Sequence, residues 1–406
     1  MKNRYLPAAI SIYVNYIVIG VSVVVLSLNM DFLLAQWGTD RAGFGFVVSG
    51  IGIGKFAVLF IAGALSDKFG RKPFIVMGAL SYIICFIGFL YSPNIYVAFA
   101  FAIISGIANA LIDAGSYAAL MESFPKTPGT ANLVIKIAIV IGQFSLPFFV
   151  SFVIAANLYY GLSFYILVAI LVLNIVCLVF EKFPPLSKRE HSEKGESEKP
   201  TAAGPQMVEK PKLYIEGAAL ILYGYTATAG LTLCQMWLQK IGQDVAGMSV
   251  TASNALMSYF SIGSLTAVLL TAYLVKSKLR PTYVTAIYPI LSIVMGFIWY
   301  LYPTPAICII AAFVMGYSIA GGILQMAITA LAMFYPGNGG KCTGAVNSLN
   351  SIAIWTVPLI TGVMADKDMK SIILFLTATC IVSCILGFIA MIRDRKVFGI
   401  HKAKVA

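Results

Sequence analysis

Three ionisable side chains stand out because they lie deep inside long apolar runs of the chain: Lys55, Asp113 and Lys136. A charged group at membrane depth costs at least about 2.5–3.5 kcal/mol, so each of them requires a partner or a function. Asp113 precedes Pro125 by twelve residues and Lys136 follows it by eleven, so a helical hairpin that turns near the proline would bring both to a similar depth. The spacing predicts an ion pair between Asp113 and Lys136. A carboxylate balanced between burial and a neighbouring ammonium can carry a proton, and a static structural pair is the alternative.

Lys55 follows Gly50, Gly52 and Gly54, and small residues at such spacing let another helix approach closely. A lysine at this depth could bind an anionic substrate or pair with an acid, for which Asp31 near the end of the first run is a candidate. Snorkelling of Lys55 to the membrane surface is the remaining alternative. We assign Lys55 and Asp31 to a predicted substrate-binding site.

Uncharged polar side chains inside the apolar runs complete that predicted site. Each could line a central cavity, although polar residues also connect helices to each other in membranes. The clearest cluster is Asn347 and Asn350, which are three residues apart on one helical face. The set consists of Asn15, Asn109, Gln143, Tyr223, Gln235, Gln325, Asn347, Asn350 and Trp355.

The composition explains why these residues must be inside a membrane. The 406-residue chain is 60% hydrophobic and 11% charged, with a mean hydropathy of +0.90, and this composition is typical of a polytopic membrane protein. A spanning helix needs about 20 apolar residues. Twelve runs qualify: 6–36, 43–65, 73–92, 95–121, 129–155, 160–180, 213–238, 249–275, 282–301, 305–334, 340–364 and 371–392.

The net charge of +12 reflects topology and does not indicate a nucleic-acid partner. With both termini in the cytoplasm, most of the 28 Lys and Arg residues fall in cytoplasmic segments, as the positive-inside rule requires. Four cations are instead predicted to lie on the external side of the membrane: Arg41, Lys240, Lys367 and Lys370. We therefore expect a multi-pass protein of the inner or plasma membrane with cytoplasmic N- and C-termini.

A polar segment divides the chain into two similar halves. Residues 182–212 are rich in Lys, Glu, Ser and Pro and are predicted to form a disordered cytoplasmic linker between residues 1–181 and 213–406. Pro125 and Pro147 in the first half recur as Pro336 and Pro358 in the second half at the same offset. Two parallel repeats of six helices favour a binding site between the halves near the middle of the membrane.

The loop between the second and third runs reads Gly63-Ala64-Leu65-Ser66-Asp67-Lys68-Phe69-Gly70-Arg71-Lys72. This segment resembles the G-x-L-x-D-x-x-G-R-K signature of the major facilitator superfamily. The resemblance implies an all-α polytopic fold of twelve transmembrane helices in two six-helix pseudo-symmetric halves. It also implies that Gly63, Asp67, Gly70, Arg71 and Lys72 form a cytoplasmic gate that joins the halves when the cavity faces outward. Glu122, at the end of the fourth run, is assigned to the proton-coupling residues and could join the gate, and a solvated helix-end acid is its alternative.

The sequence contains no catalytic, nucleotide-binding or metal-binding motif, so we expect no enzyme activity and no cofactor. Transport would then use an ion gradient or run downhill. The fifth run lacks the glycine-rich pattern of drug–proton antiporters. The segment after the sixth run lacks the motif that sugar porters usually carry there.

The two buried lysines favour alternating-access import of a small organic anion with protons, with sodium as a possible coupling ion. The alternatives are export of drugs or amphipathic compounds, proton-coupled sugar transport and ligand sensing without transport. We expect a monomer in the lipid bilayer whose partners are the small-molecule substrate and protons.

Overall fold

The computed structural model describes residues 4–124, 127–184, 207–276, 280–336 and 339–399. These residues form helices and connecting segments, with no β-strand among them. Twelve helical segments in this part of the chain are long and apolar enough to cross a membrane. The predicted all-α class with twelve spans is confirmed.

The first half of the chain supplies six of these spans. Its helices are α1 (Leu6–Leu28), α2 (Met30–Trp37), α3 (Arg41–Phe69), α4 (Arg71–Tyr91), α5 (Ile95–Ser123), α6 (Pro128–Ala155) and α7 (Leu162–Phe180). The run predicted as one helix over 6–36 is interrupted at Asn29, which ends α1 and precedes α2. The short helix α2 therefore forms a separate element at the end of the first span.

The second half repeats this pattern after a π-helical turn at Leu213–Gly217. Its helices are α8 (Ala218–Asp244), α9 (Val250–Lys276), α10 (Pro281–Leu301), α11 (Pro305–Met315), α12 (Ile323–Phe334), α13 (Gly339–Lys367) and α14 (Ser371–Val397). The tenth span is a broken helix, because a π-helical turn at Gly316–Ala320 and a left-handed Gly322 with φ of 91° separate α11 from α12.

Helix α3 packs unusually close to α5 within the first half. A Cβ atom added to Gly54 would lie 1.9 Å from the carbonyl oxygen of Ile103, and one added to Gly106 would lie 2.0 Å from that of Ile51. Such distances are impossible for a real side chain, so glycine is required where the two backbones meet. This close approach places Lys55, the residue after Gly54, directly against α5.

The same helix α3 also contacts the second half of the chain. A Cβ atom on Gly52 would lie 2.2 Å from the backbone nitrogen of Trp355 on α13, and one on Gly45 would lie 2.2 Å from the carbonyl oxygen of Pro358. Helix α3 is therefore packed against α5 on one side and against α13, across the boundary between the halves, on the other.

Part of the predicted linker is folded against the second half. Residues 185–206 lie outside the described residues, but 207–212 run beside the end of α14. The backbone nitrogen of Val208 donates to the carbonyl oxygen of Val397 at 2.7 Å, and Arg393 pairs with Glu209 at 3.1 Å. Arg393 also pairs with the buried Glu216 at 2.9 Å. The C-terminal end of the segment assigned to the linker is thus an ordered part of the second half.

Candidate functional site

A cluster of polar side chains lies inside the first half, between α3 and α5. The Lys55 ammonium donates to Asn109 Oδ1 at 2.7 Å and to Asp113 Oδ2 at 3.0 Å. The side chains of Lys55 and Asp113 are 13% and 22% exposed to solvent. Asn109 and Asp113 are one helical turn apart, so both face α3. Lys55, Asn109 and Asp113 therefore form one connected group.

Two tyrosines that the sequence analysis did not select complete this cluster. The Tyr16 hydroxyl on α1 donates to Asp113 Oδ1 at 2.8 Å, and Asn109 donates to the Tyr82 hydroxyl on α4 at 3.3 Å. The rings of Tyr16 and Tyr117 meet edge to face with centroids 5.9 Å apart. Aromatic residues in an apolar helix usually signal packing, so only the spatial neighbourhood of Asp113 reveals the role of Tyr16.

The predicted ion pair between Asp113 and Lys136 is not present; Asp113 pairs with Lys55. Among the described residues, the Lys136 ammonium has no ion-pair partner, although its charge interacts with those of both Asp113 and Lys55. The reason lies in helix packing, because α6 packs more extensively against α1 than against α5. A Cβ atom on Gly142 would lie 2.3 Å from the carbonyl oxygen of Ile17 on α1.

Asp31 is also placed differently from the sequence prediction. Both of its carboxylate oxygens accept from the ammonium of Lys240 on α8, at 2.5 and 2.6 Å. Asp31 lies on α2, at the end of the bundle remote from the start of α1, whereas Lys55 reaches across from α3 to Asp113 on α5. Asp31 is therefore a contact between the two halves and does not pair with Lys55.

Three predicted cavity-lining residues take part in packing within one half. Asn15 is fully buried and accepts from Asn174 on α7 at 2.8 Å. Gln143 donates to the carbonyl oxygen of Gly20 at 3.1 Å and joins α6 to α1. Tyr223 is fully buried in the core of the second half. Burial within one half leaves these side chains little surface to offer a substrate.

The remaining polar candidates keep accessible surface. Gln235, Gln325, Asn347 and Asn350 are half-buried, and Trp355 is 39% exposed. Within the described residues, none of these five side chains hydrogen-bonds to the Lys55–Asp113 cluster. They stay candidates for contacts from the second half.

The signature loop forms an ion-pair cluster at the face of the bundle where α1 begins and α14 ends, here called the terminal face. Arg71 pairs with Asp67 at 2.5 Å and with Glu122 at 3.1 Å, and it donates to Ser66 at 3.2 Å. Gly70, which has a φ of 99°, ends α3 in a conformation that suits glycine. All of these contacts lie within the first half.

The other predicted members of the gate have different environments. Lys72 donates to the carbonyl oxygens of Val179 and Glu181 at 2.8 and 3.1 Å, which ties α4 to the end of α7. Gly63 has open space where a Cβ atom would be. Glu122 is nine residues beyond Asp113, or about 13 Å along the helix axis, and pairs with Arg71. Its assignment to the proton-coupling residues stays a prediction.

The two halves are joined by charged contacts at the opposite face. Asp366 of α13 accepts from the backbone nitrogens of Arg41 at 3.1 Å and Ala42 at 2.8 Å. Asp366 thereby caps the N-terminus of α3 from the other half, beside the cap that Asp40 gives to Gly43 at 2.9 Å. The Arg41 guanidinium pairs with Asp244 of α8.

The described hydrogen bonds between the halves lie on this side of the bundle. Besides the charged contacts, Ser27 donates to the Met236 carbonyl, and Ser258 donates to the Phe144 carbonyl at 2.9 Å. At the terminal face, the described ion pairs stay within one half, as Arg71–Glu122 does in the first and Arg280–Asp394 in the second. The described hydrogen bonds and ion pairs between the halves are therefore concentrated towards the face opposite the terminal face, while α3 and α13 also pack against each other in the middle of the bundle.

The arrangement of two six-span halves around buried charges is that of a secondary transporter. The Major Facilitator Superfamily family model matches residues 12–358, and the chain belongs to this family. The chain is 40% identical over 404 residues to the inner membrane transport protein YdiM of Escherichia coli K12, covering 100% of this chain and 98% of that protein.

Two solved transporters share the fold. The D-xylose-proton symporter superposes with a TM-score of 0.75 at 14% identity, covering 95% of this chain and 97% of that one. The nucleoside transporter NupG superposes with a TM-score of 0.69 at 16% identity, covering 97% of this chain and 100% of that one. At these identities the likeness shows the fold alone. Together with the family match, it makes this protein a multi-pass membrane transporter.

Replacing Lys55 with Met should destabilise the protein more than the matched change Lys136→Met. The first change leaves the Asp113 carboxylate without its cation, whereas the second breaks no ion pair. We expect a cost of about 1–3 kcal/mol for Lys55→Met, below the value for a fully buried pair because Asp113 keeps some solvent exposure. Thermal unfolding of the purified variants in detergent measures the difference. An equal or larger loss for Lys136→Met would contradict the pairing.

Removing the Asp366 carboxylate should weaken the contact between the two halves at the face opposite the terminal face. In a background without accessible native cysteines, spin labels on Ala35 and Lys367, both exposed and in different halves, report the separation of the halves. We expect Asp366→Ala to raise the long-distance population severalfold, because the loss of a helix cap costs about 0.5–2 kcal/mol, and Asp366→Asn to have a smaller effect.

Asp368→Ala is the matched control for this experiment. Asp368 lies two residues further on and accepts from the backbone nitrogen of Lys370 within its own half. Its removal should leave the distance distribution unchanged. Identical distributions for Asp366→Ala and Asp368→Ala would show that the cap does not hold the halves together.

Proposed function

We propose that this transporter imports a small organic anion together with protons by alternating access. The observation that carries the proposal is the charge of the central cluster. Lys55 and Lys136 bring two ammonium groups, and Asp113 brings one carboxylate that pairs with Lys55 alone. With both lysines protonated, the interior of the first half would hold two positive charges and one negative charge at membrane depth, where a lone cation is costly.

An anionic substrate would supply the missing negative charge. A carboxylate bound by an ammonium in a low-dielectric site forms strong charge-assisted hydrogen bonds. Because Asp113 already engages Lys55, the better candidate for direct contact with the substrate is Lys136, and not Lys55 as the sequence analysis expected. A neutral sugar would leave the positive charge uncompensated.

Proton coupling follows from the same ion pair. Protonation of Asp113 would remove its negative charge and free the Lys55 ammonium to attract the substrate. Proton binding and anion binding would then favour each other, and this coupling is reciprocal. Asp113 and Lys55 thus form the proposed link between the proton gradient and substrate accumulation.

The contacts between the halves agree with an inward-facing state. The distribution of Lys and Arg favours cytoplasmic termini, so the joined face would be the outer one. The Asp67–Arg71–Glu122 cluster would then be free to engage the second half when the cytoplasmic side closes. We also propose that the protein is a monomer in the inner or plasma membrane, with both termini in the cytoplasm.

Asp113→Asn should abolish proton-driven accumulation while substrate exchange across the membrane continues. The amide matches the carboxylate in size but cannot bind and release the proton. Uptake against a gradient and counterflow exchange in proteoliposomes measure the two activities separately. Asp67→Asn, at the terminal face, is the contrast, because loss of a gate residue should slow both activities. Accumulation by Asp113→Asn at the parent level would exclude Asp113 as the proton carrier.

Small carboxylates should stabilise the purified protein against heat, since a ligand that binds only the folded state raises its apparent stability. Lys136→Met should weaken this stabilisation at least tenfold in ligand concentration without lowering the unfolding temperature of the ligand-free protein. Neutral sugars and lipophilic cations are the comparison ligands. If these stabilise the protein and no carboxylate does, sugar transport or export of amphipathic compounds replaces the anion proposal.

A further inference from the structure

We infer that Tyr16 is a positioning residue that places the exchangeable proton on Oδ1 of Asp113. The inference rests on the proposed proton coupling and names the atom at which coupling occurs. It also adds α1 to the site, whereas the other partners of Asp113 and Lys55 lie on α3 and α5.

The two oxygens of Asp113 have chemically different partners. Oδ2 accepts from the Lys55 ammonium at 3.0 Å, and Oδ1 accepts from the Tyr16 hydroxyl at 2.8 Å. Tyr16 is only 1% exposed, and its ring is held by the edge-to-face contact with Tyr117. The hydroxyl is therefore fixed opposite Oδ1 and has little freedom to turn to water.

This difference decides which oxygen can take up a proton. An ammonium only donates hydrogen bonds, so a proton on Oδ2 would point at a donor. A tyrosine hydroxyl both donates and accepts, so it can reverse its hydrogen and accept from a protonated Oδ1. The added proton then forms the O–H bond of the acid at Oδ1, and Tyr16 keeps its own hydrogen throughout.

Protonation at Oδ1 changes the charge of the site without removing its partners. Asp113 becomes neutral, Oδ2 can still accept from Lys55 through its carbonyl-like lone pairs, and the ammonium charge is no longer balanced. The hydroxyl of Tyr16 keeps a hydrogen bond in both protonation states. It thus lets the carboxyl group titrate inside the packed bundle without leaving Oδ1 unsatisfied in either state.

Tyr16→Phe tests this role because it keeps the ring and deletes only the hydroxyl. The ionised carboxylate loses a charge-assisted hydrogen bond, which is about twice as strong as the neutral one that the acid loses. We expect the pH of half-maximal accumulation to rise by roughly one unit, the shift that a tenfold change in the protonation equilibrium produces.

Tyr13→Phe is the matched control on the same helix. The Tyr13 hydroxyl donates to the carbonyl oxygen of Ala131 at 3.0 Å, so this variant loses a hydrogen bond to α6 that does not involve Asp113. Its pH profile should match that of the parent. A parallel shift in both variants would assign the effect to helix packing and overturn the inference.

The outcome with Asp113→Asn separates the inference from the function on which it rests. If Asp113→Asn abolishes accumulation and Tyr16→Phe has the parent pH profile, Asp113 carries the proton but Tyr16 does not position it. If Asp113→Asn accumulates substrate like the parent, proton coupling at Asp113 fails, and the role of Tyr16 fails with it. A shift in Tyr16→Phe alone, with accumulation lost in Asp113→Asn, supports both.

Discussion

The close approach of α3 to α5 determines the chemistry at the centre of this transporter. A lysine can reach two side chains on a neighbouring helix only if the backbones are near enough for its stem to lie between them. Gly54 and Gly106 remove the side chains that would keep the helices apart. The Lys55 ammonium consequently reaches both Asn109 and Asp113, and the energetic cost of burying each charge is offset by the other.

Helix α3 also connects this cluster to the boundary between the halves. The same helix carries Lys55 near its middle, accepts the Asp366 cap at its first turn and ends at the Asp67–Arg71 cluster. A shift or tilt of α3 would therefore act on the central ion pair and on both ends of the bundle together. This continuity would connect the proposed protonation of Asp113 to the contacts at both faces.

The sequence was sufficient for the architecture but not for the pairing of charges. Apolar run length and the signature loop predicted the spans and the family, because both depend on local composition. The partner of Asp113 depends on which helices are its neighbours. The depth in the membrane inferred from sequence position could not show whether the partner comes from α3 or from α6. The selected residues Lys55, Asn109 and Asp113 do lie together, whereas Asp31 and Asn15 proved to be helix–helix contacts. Tyr16 was missed because an uncharged tyrosine does not stand out in an apolar run of the sequence.

The broken tenth span gives the second half an internal point of flexure. Before the break, α11 packs closely against α9, since a Cβ atom on Gly263 of α9 would lie 2.1 Å from the carbonyl oxygen of Phe313 of α11. Beyond it, the π-helical turn and Gly322 interrupt the regular hydrogen-bond ladder, which is where helices bend. We therefore expect the tenth span to bend at this point, which would move Ile323–Phe334 relative to α11. Such bending would change the spacing of the helices at the terminal face without separating the contacts at the opposite face.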